Sequence, residues 1–157
     1  MSRSGRAEVA DLPGFKIGRG GPAFLEVRVV RRSQSDAADV DDADWVRARI
    51  LASSGGFRAN YDADLLSSEF PRWRQDLVVL IRDSAAEARL ETLEKWIAVT
   101  LAHADRAGHI TASCEITDHP GMGAVLRFDI ELNTPDLAVI SRELDSLIAA
   151  YPAPDRR

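Results

Sequence analysis

Three consecutive segments within residues 88–132 show a strict alternation of apolar and polar side chains. The apolar members are Ile97, Val99 and Leu101 in the first segment, Ile110, Ala112, Cys114 and Ile116 in the second, and Ala124, Leu126, Phe128, Ile130 and Leu132 in the third. A period of two places alternate side chains on opposite faces of a strand. The pattern therefore predicts a three-stranded antiparallel meander with one face against a core and the other open to water.

The residues before this meander predict a second group of strands. Residues 23–32 have strand propensity, and alternation recurs over residues 44–53 and 57–64. The pair Gly55-Gly56 between the last two segments is typical of a hairpin turn. The acidic, small-residue stretch 33–44 indicates a solvated loop.

Two segments carry apolar residues at helical spacing. Ser67 or Ser68 is a suitable N-cap for the first helix, and Thr134 followed by Pro135 indicates the start of the second. The stripes consist of Phe70, Trp73, Leu77, Leu80 and Ile81, and of Leu137, Ile140, Leu144, Leu147, Ile148 and Tyr151. We therefore predict an α+β fold, an antiparallel sheet of about six strands with two helices packed on one face, in the order βββ-α-βββ-α. A short additional strand at residues 89–93 is left open.

The length of 157 residues fits one domain. Residues 1–22 show no periodic apolar pattern and are expected to form a disordered tail, from which Phe15 and Ile17 are able to dock on the body. We expect the α+β domain to span residues 23–152 and the C-terminus to be frayed over residues 153–157.

Composition limits the classes of partner. The net charge of -5 argues against nucleic acid, since phosphate binding requires clustered Lys and Arg. No apolar run approaches the roughly 20 residues that span a bilayer, and no leader peptide is recognisable, so we expect a cytoplasmic protein without a membrane partner. No nucleotide or cofactor motif is present, and no cofactor is expected. The single cysteine, Cys114, is expected to be a buried, inert thiol.

A metal site is the main alternative to a binding surface. His103, Asp105 and His109 surround a short turn and are potential zinc ligands, with Asp118 and His119 further along the chain. Against this reading, the alternation places His103 in phase with the apolar residues and His109 out of phase with them. We therefore predict no metal, and keep a metal-assisted enzyme using these residues as the second hypothesis.

The polar strand face is the candidate partner-binding surface. Aromatic and charged side chains stand on it, and an acidic surface accelerates encounter with a basic partner. The predicted contacts are Trp96, Glu115, Asp129 and Glu131, with Arg47 and Arg49 placed on the same polar face. An ordinary solvated face and a homodimer interface are the remaining readings.

Several short motifs resemble the WapI-like family of bacterial immunity proteins, over roughly residues 44–152. The motifs are Asp44-Trp45-Val46, Leu93-Glu94-Lys95-Trp96, Asp105-Arg106-Ala107-Gly108-His109-Ile110, Asp118-His119-Pro120-Gly121, Leu126-Arg127-Phe128 and Tyr151-Pro152. The resemblance implies a non-catalytic protein that binds a toxin domain and blocks its active site.

Overall fold

A computed structural model describes residues 9–33 and 44–154, and these residues form eight strands and two helices. The strands are β1 Gly14–Ile17, β2 Phe24–Arg32, β3 Trp45–Ser54, β4 Phe57–Leu66, β5 Glu87–Glu91, β6 Ile97–His103, β7 His109–Thr117 and β8 Val125–Asn133. The helices are α1 Glu69–Arg82 and α2 Thr134–Ala150. The element order is therefore ββββ-α-ββββ-α.

The strands form two four-stranded antiparallel sheets, β1-β2-β3-β4 (sheet 1) and β5-β6-β7-β8 (sheet 2). The predicted α+β class and the β6-β7-β8 meander are confirmed, whereas the prediction of one sheet of about six strands is wrong. The two additional strands, β1 and β5, have four and five residues. Runs this short show too little alternation to predict a strand with assurance.

Strand β1 lies inside the segment 1–22 that we expected to be a tail. Phe15 and Ile17 are fully buried, so this part of the segment belongs to the core. Strand β5, Glu87–Glu91, overlaps the optional strand at 89–93 but is shifted by two residues towards the N-terminus. Residues 1–8, most of the acidic stretch 33–44, and residues 155–157 lie outside the described residues.

Each helix lies beside the first strand of the other half of the chain. Helix α1, which follows sheet 1, contacts β5, and helix α2, which follows sheet 2, contacts β1. The helices also contact each other, and Phe15 on β1 packs against Trp73 on α1 with ring centroids 5.0 Å apart. The expected arrangement of two helices on one face of one sheet is therefore corrected: the helices link two sheets around one continuous hydrophobic core.

A carboxylate side chain fixes the backbone at each helix start. Asp44, fully buried before β3, accepts hydrogen bonds from Ser67 Oγ at 2.6 Å and from the Ser68 backbone N–H at 3.0 Å. The N-cap of α2 is Asn133 and not the predicted Thr134, and its backbone N–H donates to Asp136 Oδ2 at 2.8 Å. This bond matches one half of a capping box and lets β8 pass directly into α2. Neither helix of the described ranges is long and apolar enough to span a membrane.

Candidate partner-binding surface

The outer side of sheet 2 presents three rows of side chains across its four strands. In order from β5 to β8 the rows are Glu87, Ala102, Thr111 and Glu131; Arg89, Thr100, Ser113 and Asp129; and Glu91, Ala98, Glu115 and Arg127. We call this surface the open face. Apart from Glu115, the two central strands carry short uncharged side chains and the two outer strands carry charged ones. The result is a shallow surface with a charged rim.

Carboxylates outnumber guanidinium groups on the open face. Two carboxylates have guanidinium partners, since Arg127 Nη2 lies 2.9 Å from Glu115 Oε1 and Arg89 Nη2 lies 3.7 Å from Glu87 Oε2. The remaining three, on Glu91, Asp129 and Glu131, form no hydrogen bond or ion pair with any described residue. The open face is therefore a net acidic surface on which Glu91, Asp129 and Glu131 have no ion-pair partner among the described residues.

The outer side of sheet 1 differs because two arginines of β3 form ion pairs with aspartates of β4. Arg47 Nη1 lies 3.2 Å from Asp64 Oδ1, and Arg49 Nε lies 2.8 Å from Asp62 Oδ1. Arg47 and Arg49 were placed on the same polar face as the acidic candidates, and this is corrected: they lie on the other sheet. Their guanidinium groups are occupied within the chain.

Trp96 also lies elsewhere than expected. The residue precedes β6 and its ring stacks on Tyr61 of β4, with centroids 6.1 Å apart and an interplanar angle of 23°. Its Nε1–H donates to Glu94 Oε2 at 3.2 Å. Lys95, with a φ of +63°, interrupts the extended backbone just before it, so alternation counted from the strand does not apply. Trp96 is half-buried at the junction of the two sheets and is not part of the open face.

The other three predicted contacts, Glu115, Asp129 and Glu131, all stand on the open face. The sequence reasoning missed Glu87 and Glu91 on the outer strand β5. The alternating pattern of Glu87–Glu91, with buried Ala88 and Leu90 between exposed charges, was the signal that could have found them.

The histidines of the metal hypothesis have separate partners. His103 Nε2 lies 2.9 Å from the Leu80 carbonyl of α1, whereas His109 Nδ1 lies 2.5 Å from Asp105 Oδ2 in the β6–β7 turn. The hydrogen bond that the His109 ring N–H donates to Asp105 raises the pKa of His109, and the same bond lowers the pKa of Asp105.

The more distant candidates do not complete a metal site. Asp118 Oδ1 accepts the Ala124 backbone N–H at 2.9 Å, and His119 is exposed on the same loop. Within residues 9–33 and 44–154, no three His, Cys, Asp or Glu side chains are grouped to hold a metal ion. The geometry thus does not support the metal-assisted alternative.

The described residues thus form an α+β domain whose second sheet has an open, net acidic outer side. The sequence model of the Immunity protein WapI-like family matches residues 16–152, and the chain belongs to this family. The match extends the resemblance noted over residues 44–152 towards the N-terminus, to include β2 and the end of β1. A comparison with curated proteins gives no match.

Family membership carries a general functional meaning. It implies a protein partner such as a toxin, and it suggests neutralisation of that toxin by binding. Immunity proteins of this kind are typically non-catalytic.

Proposed function

We propose that the chain is a non-catalytic inhibitor that neutralises a toxin by direct contact, and that the open face is the contact surface. The observation that carries this proposal is the set of unpaired carboxylates on Glu91, Asp129 and Glu131, on the outer side of a sheet in a member of an immunity-protein family. Exposed carboxylates without internal partners leave their charge available for Lys and Arg of another protein.

The shape of the open face supports the same conclusion. Its central strands carry Ala98, Thr100, Ala102, Thr111 and Ser113, whose short side chains allow a partner to approach the sheet closely. The charged rim then surrounds the contact. A polar rim around a closely approached centre is the usual anatomy of a protein interface.

The charge of the open face also bears on the homodimer alternative. Two copies meeting through this surface would bring carboxylates against carboxylates, and like charges in an interface are unfavourable. A basic partner is therefore favoured over a second copy.

The experiment is co-expression of the chain with the C-terminal toxin domain of a large secreted protein encoded beside its gene. We expect the chain to restore growth and to form a complex with the purified domain. Failure of the unmodified chain to bind and protect would refute the proposal.

A matched pair of variants tests the surface. Glu131→Gln on the open face and Gln75→Lys on the exposed side of α1 each raise the net charge by one. We expect Glu131→Gln to weaken toxin binding about three- to tenfold at low salt, with a smaller effect at high salt because exposed charges are screened. Gln75→Lys should leave the affinity nearly unchanged, and equal effects of the two variants would exclude the open face.

A further inference from the structure

The β7–β8 loop, residues 118–124, presents an apolar side chain to water at one end of the open face. Met122 at its tip is 93% exposed. The loop is well hydrogen-bonded: the backbone N–H groups of Met122 and Gly123 donate to the His119 carbonyl at 3.0 and 2.7 Å. Asp118 Oδ1 closes the loop by accepting the Ala124 N–H at 2.9 Å.

Glycine is required for this loop to close so tightly. A Cβ atom on Gly123 would lie 2.1 Å from Asp118 Oδ1, and Gly121 has a φ of +85°. The chain therefore holds the backbone of Met122 in a defined position. An apolar residue on an ordered loop loses less backbone entropy on binding than one on a frayed segment.

A groove connects this loop with the open face. It has a volume of about 470 Å³ and is lined by Met122, Val125, Ala98, Glu91 and Glu115 among others. Ala98, Glu91 and Glu115 belong to the open face, so a partner seated there reaches the loop. Val125, at 49% exposure, extends the apolar side of the groove.

We infer that Met122 is the apolar anchor of the toxin contact, entering an apolar pocket at one end of the toxin's basic surface, whose other end faces Glu131. The inference rests on the proposed function. An unbranched, polarizable Met side chain adapts to an irregular pocket. Val125 and Glu131 are six residues apart on β8, so the pocket lies roughly 20 Å from the basic residues that meet Glu131.

The charges around the groove favour a toxin with an apolar pocket and basic residues over a second copy of the chain. Glu91 and Glu115 face the groove, and Lys95 is the one basic residue among the described residues that line it. A second copy would add its own carboxylates next to these. A partner with apolar and basic groups side by side satisfies both Met122 and Glu91, since Glu115 is already paired with Arg127.

Isothermal titration calorimetry with the purified toxin domain tests the inference. We expect Met122→Ser to weaken binding at least tenfold and Met122→Leu to keep the affinity within about threefold, because the contact requires apolar volume. Phe57→Ser is the control, since Phe57 is 67% exposed at the start of β4 and lies on sheet 1.

Two further readouts separate an apolar anchor from a charge effect. Met122→Ser should make the heat-capacity change of binding less negative while leaving the salt dependence of the affinity unchanged. Glu131→Gln should reduce the salt dependence of the affinity while leaving the heat-capacity change of binding unchanged. Thermal unfolding of Met122→Ser should match the parent chain, as expected for a side chain exposed to water.

The outcomes distinguish the two proposals. Binding by the parent chain together with an affinity of Met122→Ser within twofold of it would overturn the role of Met122 and leave the toxin-inhibitor proposal standing. The absence of any binding by the parent chain would overturn both.

Discussion

The Tyr61 hydroxyl donates a hydrogen bond to the Trp96 carbonyl at 3.0 Å, and the rings of the two residues stack 6.1 Å apart. Tyr61 belongs to β4 of sheet 1, and Trp96 leads into β6 of sheet 2. The Trp96 carbonyl also accepts the Thr117 backbone N–H at 3.1 Å, at the end of β7. One carbonyl therefore receives bonds from both sheets, and this pair links sheet 2 to sheet 1 at the edge of their shared core.

Removing the Tyr61 hydroxyl should weaken this junction. We expect Tyr61→Phe to lower the free energy of unfolding by about 1 kcal/mol, since the part-buried hydrogen bond to the Trp96 carbonyl is lost. Urea unfolding followed by far-UV circular dichroism measures the change. Tyr151→Phe is the control because the Tyr151 hydroxyl forms no hydrogen bond within the described residues. Equal losses in the two variants would contradict a role for the Tyr61–Trp96 bond.

The parts of the fold that could be predicted from the sequence are those in which local pattern and final structure agree. Strands β6, β7 and β8 have seven to nine residues with one buried face, and their alternation is visible without any knowledge of the fold. The division into two sheets was not predictable in this way. It depends on tertiary packing, including the contact of α2 with β1, whose residues are distant in sequence.

The candidate surface was likewise predictable only where its residues lie within long alternating strands. Glu115, Asp129 and Glu131 were placed on one polar face because they lie within long alternating strands, and the structure places them on one face. Trp96 was misplaced because Lys95 interrupts the strand backbone beside it. Alternation gives the face of a side chain only as far as the strand continues.

Asp44 should contribute strongly to stability. Its buried carboxylate accepts hydrogen bonds from the Ser67 and Ser68 hydroxyls, each at 2.6 Å, and joins the start of β3 to the start of α1. We expect Asp44→Ala to lower the free energy of unfolding by about 3 kcal/mol, because charge-assisted bonds are lost and a buried hydroxyl is left without its acceptor. Guanidinium unfolding measures this.

Asp62→Ala supplies the comparison for Asp44→Ala. Asp62 pairs with Arg49 on the half-exposed outer side of sheet 1, and such surface ion pairs contribute about 1 kcal/mol or less. If Asp44→Ala lowered the free energy of unfolding no more than Asp62→Ala, the buried carboxylate would not be a major source of stability.

Cys114 should be unreactive in the folded protein. Burial, with a smaller effect of the Asp129 charge, raises the pKa of its thiol to about 12, so almost no thiolate is present near neutral pH. We expect no reaction with Ellman's reagent at pH 8 in native buffer, and release of one equivalent of chromophore in guanidinium. Asp129→Asn should leave the native thiol unreactive, because burial is the larger cause. Rapid modification of the folded parent chain would contradict the buried position.

The pair of Asp105 and His109 should make stability depend on pH in two directions. Hydrogen bonding to Asp105 raises the pKa of His109, so the stabilisation from protonated His109 is complete below its ordinary pKa and is lost as the pH rises through the raised value. The pKa of Asp105 is lowered by His109 and by the Ala107 backbone N–H. Its stabilisation is therefore present above the ordinary carboxyl pKa and is lost as the pH falls through the lowered value.

Nuclear magnetic resonance titration of the His109 ring tests this coupling directly. We expect Asp105→Asn to bring the pKa of His109 down towards its ordinary value. It should also remove the part of the pH dependence of thermal unfolding that lies just above the ordinary pKa of histidine. Asp118→Asn, which changes an aspartate in the other loop of the meander, should leave the pKa of His109 unchanged. Because Glu131 adds a smaller raising effect on His109, Glu131→Gln should lower that pKa by less than Asp105→Asn does. The reverse order would show that the open face, and not the turn, sets the charge of this histidine.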